Sequence, residues 1–151
     1  MGLFVLLAAC QQSRVPAGAL LYEITVTGTE DTCHPDAEEG YQETFTYAVA
    51  LDAAETTIYI DDQVFAIGTI KGCEVEYNTV VIGEETEADG EVRWQLFGSA
   101  DFDPGDDSCV EGENDWFGNE TFEIVSTEDE TLEEGCTYAT EVAGTFKGQV
   151  E

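Results

Sequence analysis

Positive charge is what this sequence has least of. Lysine and arginine together number 4 in 151 residues, against 34 aspartates and glutamates, giving a formal net charge of −30. A nucleic-acid backbone is held by clustered cations, so nucleic acid is excluded as a partner. No apolar run reaches the ~18 residues that a membrane-crossing helix needs. Histidine occurs once, at His34, beside Cys33 and Pro35. A Ser–His–Asp triad would have to use it as its base, and no serine sits in a G-x-S-x-G frame. It reads as an exposed loop residue. Phosphate-cradling glycine loops and basic aromatic patches are missing too. Past residue 20 no helical stripe of apolar residues occurs, and only 127–135 could form a single helical turn, with Leu132 as its one large apolar residue. What is present is a chain 42% hydrophobic and 11% aromatic, the composition and length of one globular domain.

The first ten residues bear on location. Leu3 to Ala9 is apolar, and the polar run Gln11-Gln12-Ser13-Arg14 follows at once. Leu7-Ala8-Ala9-Cys10 resembles the lipobox of bacterial lipoproteins, in which a Leu and two small residues precede an invariant Cys. The resemblance implies that residues 1–9 are a signal peptide, that the Cys10 thiol is alkylated by diacylglycerol, and that cleavage makes Cys10 the acylated N-terminus. Acyl chains at ~0.8 kcal/mol per buried methylene then give a stable membrane anchor. Gln11 after the Cys fits sorting to the outer membrane, since Asp there is the family's usual inner-membrane signal. The segment before Cys10 is short and has no Lys or Arg. That sets the expectation of a true start upstream of Met1. Residues 10–19 read as a lipidated tether, and 20–151 as a single β domain.

Setting Cys10 aside leaves Cys33, Cys73, Cys109 and Cys136. An even number in an exported chain points to disulfides, and four cysteines allow three pairings. Zinc would need closer ligand pairs than this spacing supplies. An internal repeat bears on the pairing. Cys33 and Cys109 each precede an acidic loop and then a Phe, at spacings of 12 (Phe45) and 13 (Phe122). An aromatic alternating strand lies before each, and a Gly-Cys leading to a Tyr-bearing strand lies after each: Gly72-Cys73 to Tyr77, and Gly135-Cys136 to Tyr138. If each copy closes on itself, the bonds are Cys33–Cys73 and Cys109–Cys136.

Period-two alternation dominates the rest. Leu20, Tyr22, Ile24 and Val26 share a face, as do Phe45, Tyr47, Val49 and Leu51. Ile58 to Ile70 reads as a hairpin turning at Asp61-Asp62-Gln63. Cys73 to Val81 and Val92 to Phe102 alternate as longer strands, Phe122 and Ile124 mark a shorter one, and Tyr138 to Phe146 forms the last. About eight antiparallel strands fit a small closed barrel of the calycin kind or a two-sheet sandwich. Gly68, Gly98 and Gly144, lying within strands, favour the barrel because they permit sharp bends. The inward aromatics Tyr22, Phe45, Tyr47, Trp94 and Phe146 are expected to fill the core; as an alternative they line a cavity for an apolar ligand.

The acids concentrate in loops and point to a salty habitat or to work with divalent cations. Asp101, Asp103, Asp106 and Asp107 form the specific calcium candidate, with hard oxygens clustered as calcium prefers, although the EF-hand spacing is not met. The alternative is a solvated acidic turn, which leaves no cofactor. Asn119-Glu120-Thr121 is a formal glycosylation sequon without consequence in a typical bacterium. The resulting expectation is a non-enzymatic, lipid-anchored envelope domain that binds a protein or small molecule. A structural acidic coat comes second, and a carboxylate-based hydrolase of envelope glycans third.

Overall fold

The computed structural model describes residues 14–33, 41–79, 83–87, 90–104 and 114–151. Every regular element in them is a strand. The order is β1 (Leu20–Asp31), β2 (Gln42–Asp52), β3 (Glu55–Ile60), β4 (Gln63–Lys71), β5 (Glu74–Thr79), β6 (Gly83–Glu87), β7 (Gly90–Phe102), β8 (Trp116–Thr127) and β9 (Thr137–Gln149). All neighbours are antiparallel. The sheet runs β5-β4-β3-β2-β1-β9-β8-β7, and β5 then pairs with β7, so eight strands close into a barrel. The choice between barrel and sandwich thus falls to the barrel.

β6 does not add a ninth stave. It pairs with residues 90–94 of β7, while β5 pairs with residues 97–101 along the same edge. Trp94 faces Gly83 and Phe97 faces Asn78, so β5 and β6 pair with successive parts of the same β7 edge, with residues 80–82 between them outside the described part.

Local chemistry explains the tight connections. The β3–β4 hairpin turns on Asp61 and Asp62, both at positive φ (51° and 63°). Two left-handed residues make the primed turn whose twist matches paired strands, and Asp tolerates that region. The segment expected to offer a helical turn, 127–135, holds the end of β8 at Thr127 and then only turns and bends. Asp129 Oδ1 accepts from the amide and hydroxyl of Thr131 at 2.8 and 2.6 Å, which favours a local turn over a helix. β8 is twelve residues long, not the short strand its apolar pattern suggested.

The alternation seen in the sequence holds on β1. Leu20, Tyr22, Ile24 and Val26 point inward and are buried. On β2, Tyr47 and Val49 are buried, Phe45 is half-buried and Leu51 is exposed at the strand end. Trp116 is the centre of the core. Its ring lies 5.3 Å from Tyr22 and about 6 Å from each of Tyr47, Tyr77 and Phe102. Several outward positions on β1 and β2, such as Glu23, Thr25, Thr44 and Thr46, are polar.

The cysteines pair differently from the expectation. Cys33 is bonded to Cys136, with Cα atoms 5.2 Å apart, so neither Cys33–Cys73 nor Cys109–Cys136 forms. The cause is barrel closure. The first strand of the first repeat copy (β1) lies against the last strand of the second (β9), where the Thr32 amide donates to the Thr137 carbonyl at 2.9 Å. A bond at that seam therefore crosses between copies. Cys73 is also disulfide-bonded, to a partner outside the described residues.

The tether expectation changes at its C-terminal half. Asp62 Oδ1 accepts from the amides of Arg14 (3.0 Å) and Val15 (3.3 Å), and residues 18–19 exchange backbone bonds with Val150. Residues 14–19 are thus fastened to the barrel, while Cys10 and residues 11–13 lie outside the described part.

Candidate functional site

Two features share one wall of the barrel, one inside and one outside. The inner feature is a buried acid between two phenols. On β8, Trp116, Gly118 and Glu120 take successive inward positions. Glu120 is only 2% exposed. Its Oε1 accepts hydrogen bonds from the hydroxyls of Tyr47 (2.7 Å) and Tyr77 (2.6 Å), which reach it from β2 and β5. A buried carboxylate without partners would cost several kcal/mol, and these two donors offset part of that cost.

Burial pushes the Glu120 carboxyl above its ordinary range, and the two phenol bonds only partly offset this. Tyr47 and Tyr77 are held well above the usual phenol value, first by burial and then by the Glu120 charge. The neighbouring Trp116 Nε1 is buried and, among the described residues, makes no well-formed hydrogen bond, although the Tyr77 side chain lies beside it. Its ring makes four aromatic contacts, with Tyr22, Tyr47, Tyr77 and Phe102.

Glycine makes room for this cluster. The inward row across the wall reads Gly68, Tyr77, Gly98, Glu120. A Cβ on Gly98 would collide with the Tyr77 ring, so only glycine lets that ring cross toward Glu120.

The outer feature is a groove of about 510 Å³ on the reverse of the same wall. Its floor is the backbone of Gly68, Tyr77 and Gly98. One side wall is the outward row Asn78, Phe97, Thr121; the other is Thr69, Glu76, Ser99, Asn119. The Phe97 ring is 49% exposed, and Ile67 and Phe117 nearby are exposed to a similar degree.

The expected site residues are dispersed among other roles. Tyr22 and Tyr47 are sealed in the core, and Phe45, Trp94 and Phe146 pack against it half-buried. Phe146 stacks edge-on to Tyr22, whereas Trp94 joins a separate aromatic group with Phe122 and Tyr138. These five rings belong to the packed interior. Of the calcium candidates, Asp101 is exposed and Asp103 is buried, its carbonyl accepting from the Tyr22 hydroxyl at 2.7 Å. Asp106 and Asp107 lie outside the described residues, as does His34. Among the described residues no three His, Cys, Asp or Glu side chains gather as a metal site would require. Glu120 was not singled out from sequence. The signal was there: it shares parity with Trp116 and Phe122, and an acid in an inward register is the unusual member of such a row.

No family model, no curated protein and no solved structure matches the chain.

Proposed function

We propose that the chain is a lipid-anchored, disulfide-braced binding domain of a bacterial envelope, which meets its partner on the outer wall of the barrel rather than in its interior. The carrying observation is the contrast between the two features of that wall. A general acid must touch the reacting atom. Glu120, whose carboxyl burial holds above its ordinary range, touches two structural phenols and is almost wholly covered. The accessible feature is the groove behind it, where an aromatic ring stands in water among amide and hydroxyl groups. A purely structural coat would have no use for a near-neutral, aromatic groove in an otherwise acidic shell, which favours binding over the coat. The lipobox at Leu7-Ala8-Ala9-Cys10 supports the anchor and the envelope location.

A photoreactive benzoylphenylalanine at position 97, in cells of the source organism, tests the groove. The control places the same group at position 46, an outward site on the opposite wall. A covalent adduct is expected at position 97 and not at position 46. Equal adducts at both positions, or none at either, would overturn the reading.

A further inference from the structure

We infer that the outer-wall groove binds a neutral oligosaccharide. The inference rests on the binding-domain reading and adds the ligand class. Phe97 stands mid-strand with half its surface in water, among the polar side chains that line the groove, with Ile67 and Phe117 exposed at the groove's flanks. A hydrated ring offers a flat apolar platform, which suits the C–H face of a pyranose. Asn78 and Thr121 flank it in the same row, and Ser99 and Asn119 face it across the floor. Amides and hydroxyls both donate and accept, as paired sugar hydroxyls require.

Charge narrows the class further. The walls hold one carboxylate, Glu76, and no cation, in a chain of net charge −30. A phosphate or uronate would find no counter-charge and a repelling field. A cationic ligand would be recognised by carboxylates, which the groove mostly lacks. An added peptide strand is disfavoured because the floor strands β4, β5, β7 and β8 are already hydrogen-bonded to one another, leaving no free edge. Four strands at ~4.8 Å spacing give a channel ~14 Å long, enough for a short oligosaccharide.

The test is calorimetry on the full chain with neutral hexasaccharides: β-1,4- and α-1,4-linked glucose, β-1,4-linked mannose and β-1,4-linked N-acetylglucosamine. A galacturonate hexamer is the anionic control. At least one neutral sugar is expected to bind and the uronate is not. Phe97→Ala and Asn119→Ala are each expected to weaken binding about tenfold, with the thermal midpoint unchanged because both side chains are exposed. Thr46→Ala, on the opposite wall, is expected to leave affinity intact. Failure of every neutral sugar, affinity indifferent to Phe97→Ala, or equal binding of the uronate would overturn the inference. A protein adduct at position 97 without any sugar binding would overturn the ligand class and leave the binding-domain reading standing. Absence of both would overturn both.

Discussion

Glu120 costs the fold most when it is charged. Its carboxyl titrates higher in the folded barrel than in the unfolded chain, because burial outweighs its two phenol bonds. The stability it contributes is thus complete below the ordinary carboxylate range and is lost as pH rises through the folded value. Glu120→Gln keeps an acceptor oxygen for the tyrosines and removes the titration. In urea unfolding its stability relative to wild type is expected to increase between pH 5 and pH 8; a constant gap would contradict this. Glu120→Ala instead leaves two buried phenols without an acceptor and is expected to cost about 2–4 kcal/mol. The phenols act at the other end of the scale. Tyr47 and Tyr77 stay protonated in the fold above the pH at which unfolded tyrosines ionise, so their stabilisation is present below about pH 10 and is lost above it. Tyr47→Phe is expected to make the alkaline decline shallower, as read by unfolding midpoints from pH 9 to pH 11.

At the level of elements, the glycine row and the disulfide carry the consequences. Gly98→Ala places a methyl in the path of the Tyr77 ring. Such overpacking is expected to cost about 1–3 kcal/mol, measurable by chemical denaturation, and a neutral result would show that the wall relaxes. The Cys33–Cys136 bond spans 103 residues, so in the loop-entropy model its removal by Cys33→Ser with Cys136→Ser is expected to cost on the order of 4–5 kcal/mol.

Alternation made β1, β7 and β9 legible, because large apolar side chains dominate their inward positions, with Gly98, Thr140 and Gly144 as small breaks. It shortened β8, because Gly118 and Glu120 occupy inward positions where the pattern asks for apolar side chains. The repeat was legible as an order of features, but its pairing was not. Closure sets β1 against β9 and β5 against β7, so each copy is sealed by the other. Carried through, that equivalence makes Cys73–Cys109 the counterpart of Cys33–Cys136. The groove could not be read from sequence, because it is built from the relative register of four strands.

Over the whole molecule, a charge of −30 works against compaction. Salt shortens its reach from ~30 Å at 0.01 M to ~8 Å at 0.15 M. The thermal midpoint is therefore expected to climb with NaCl, by about 2–4 °C for each kcal/mol of repulsion relieved in a domain of this size. A midpoint insensitive to salt would show that the charges are too dispersed to matter. The anchor and the closed barrel meet in a single experiment: non-reducing peptide mapping by mass spectrometry of protein extracted from membranes. The predicted result is an N-terminal peptide that begins at an acylated Cys10, together with a peptide joining Cys33 to Cys136. A peptide beginning at or before Met1 with Cys10 unmodified, or Cys33 joined to any other cysteine, would contradict the account.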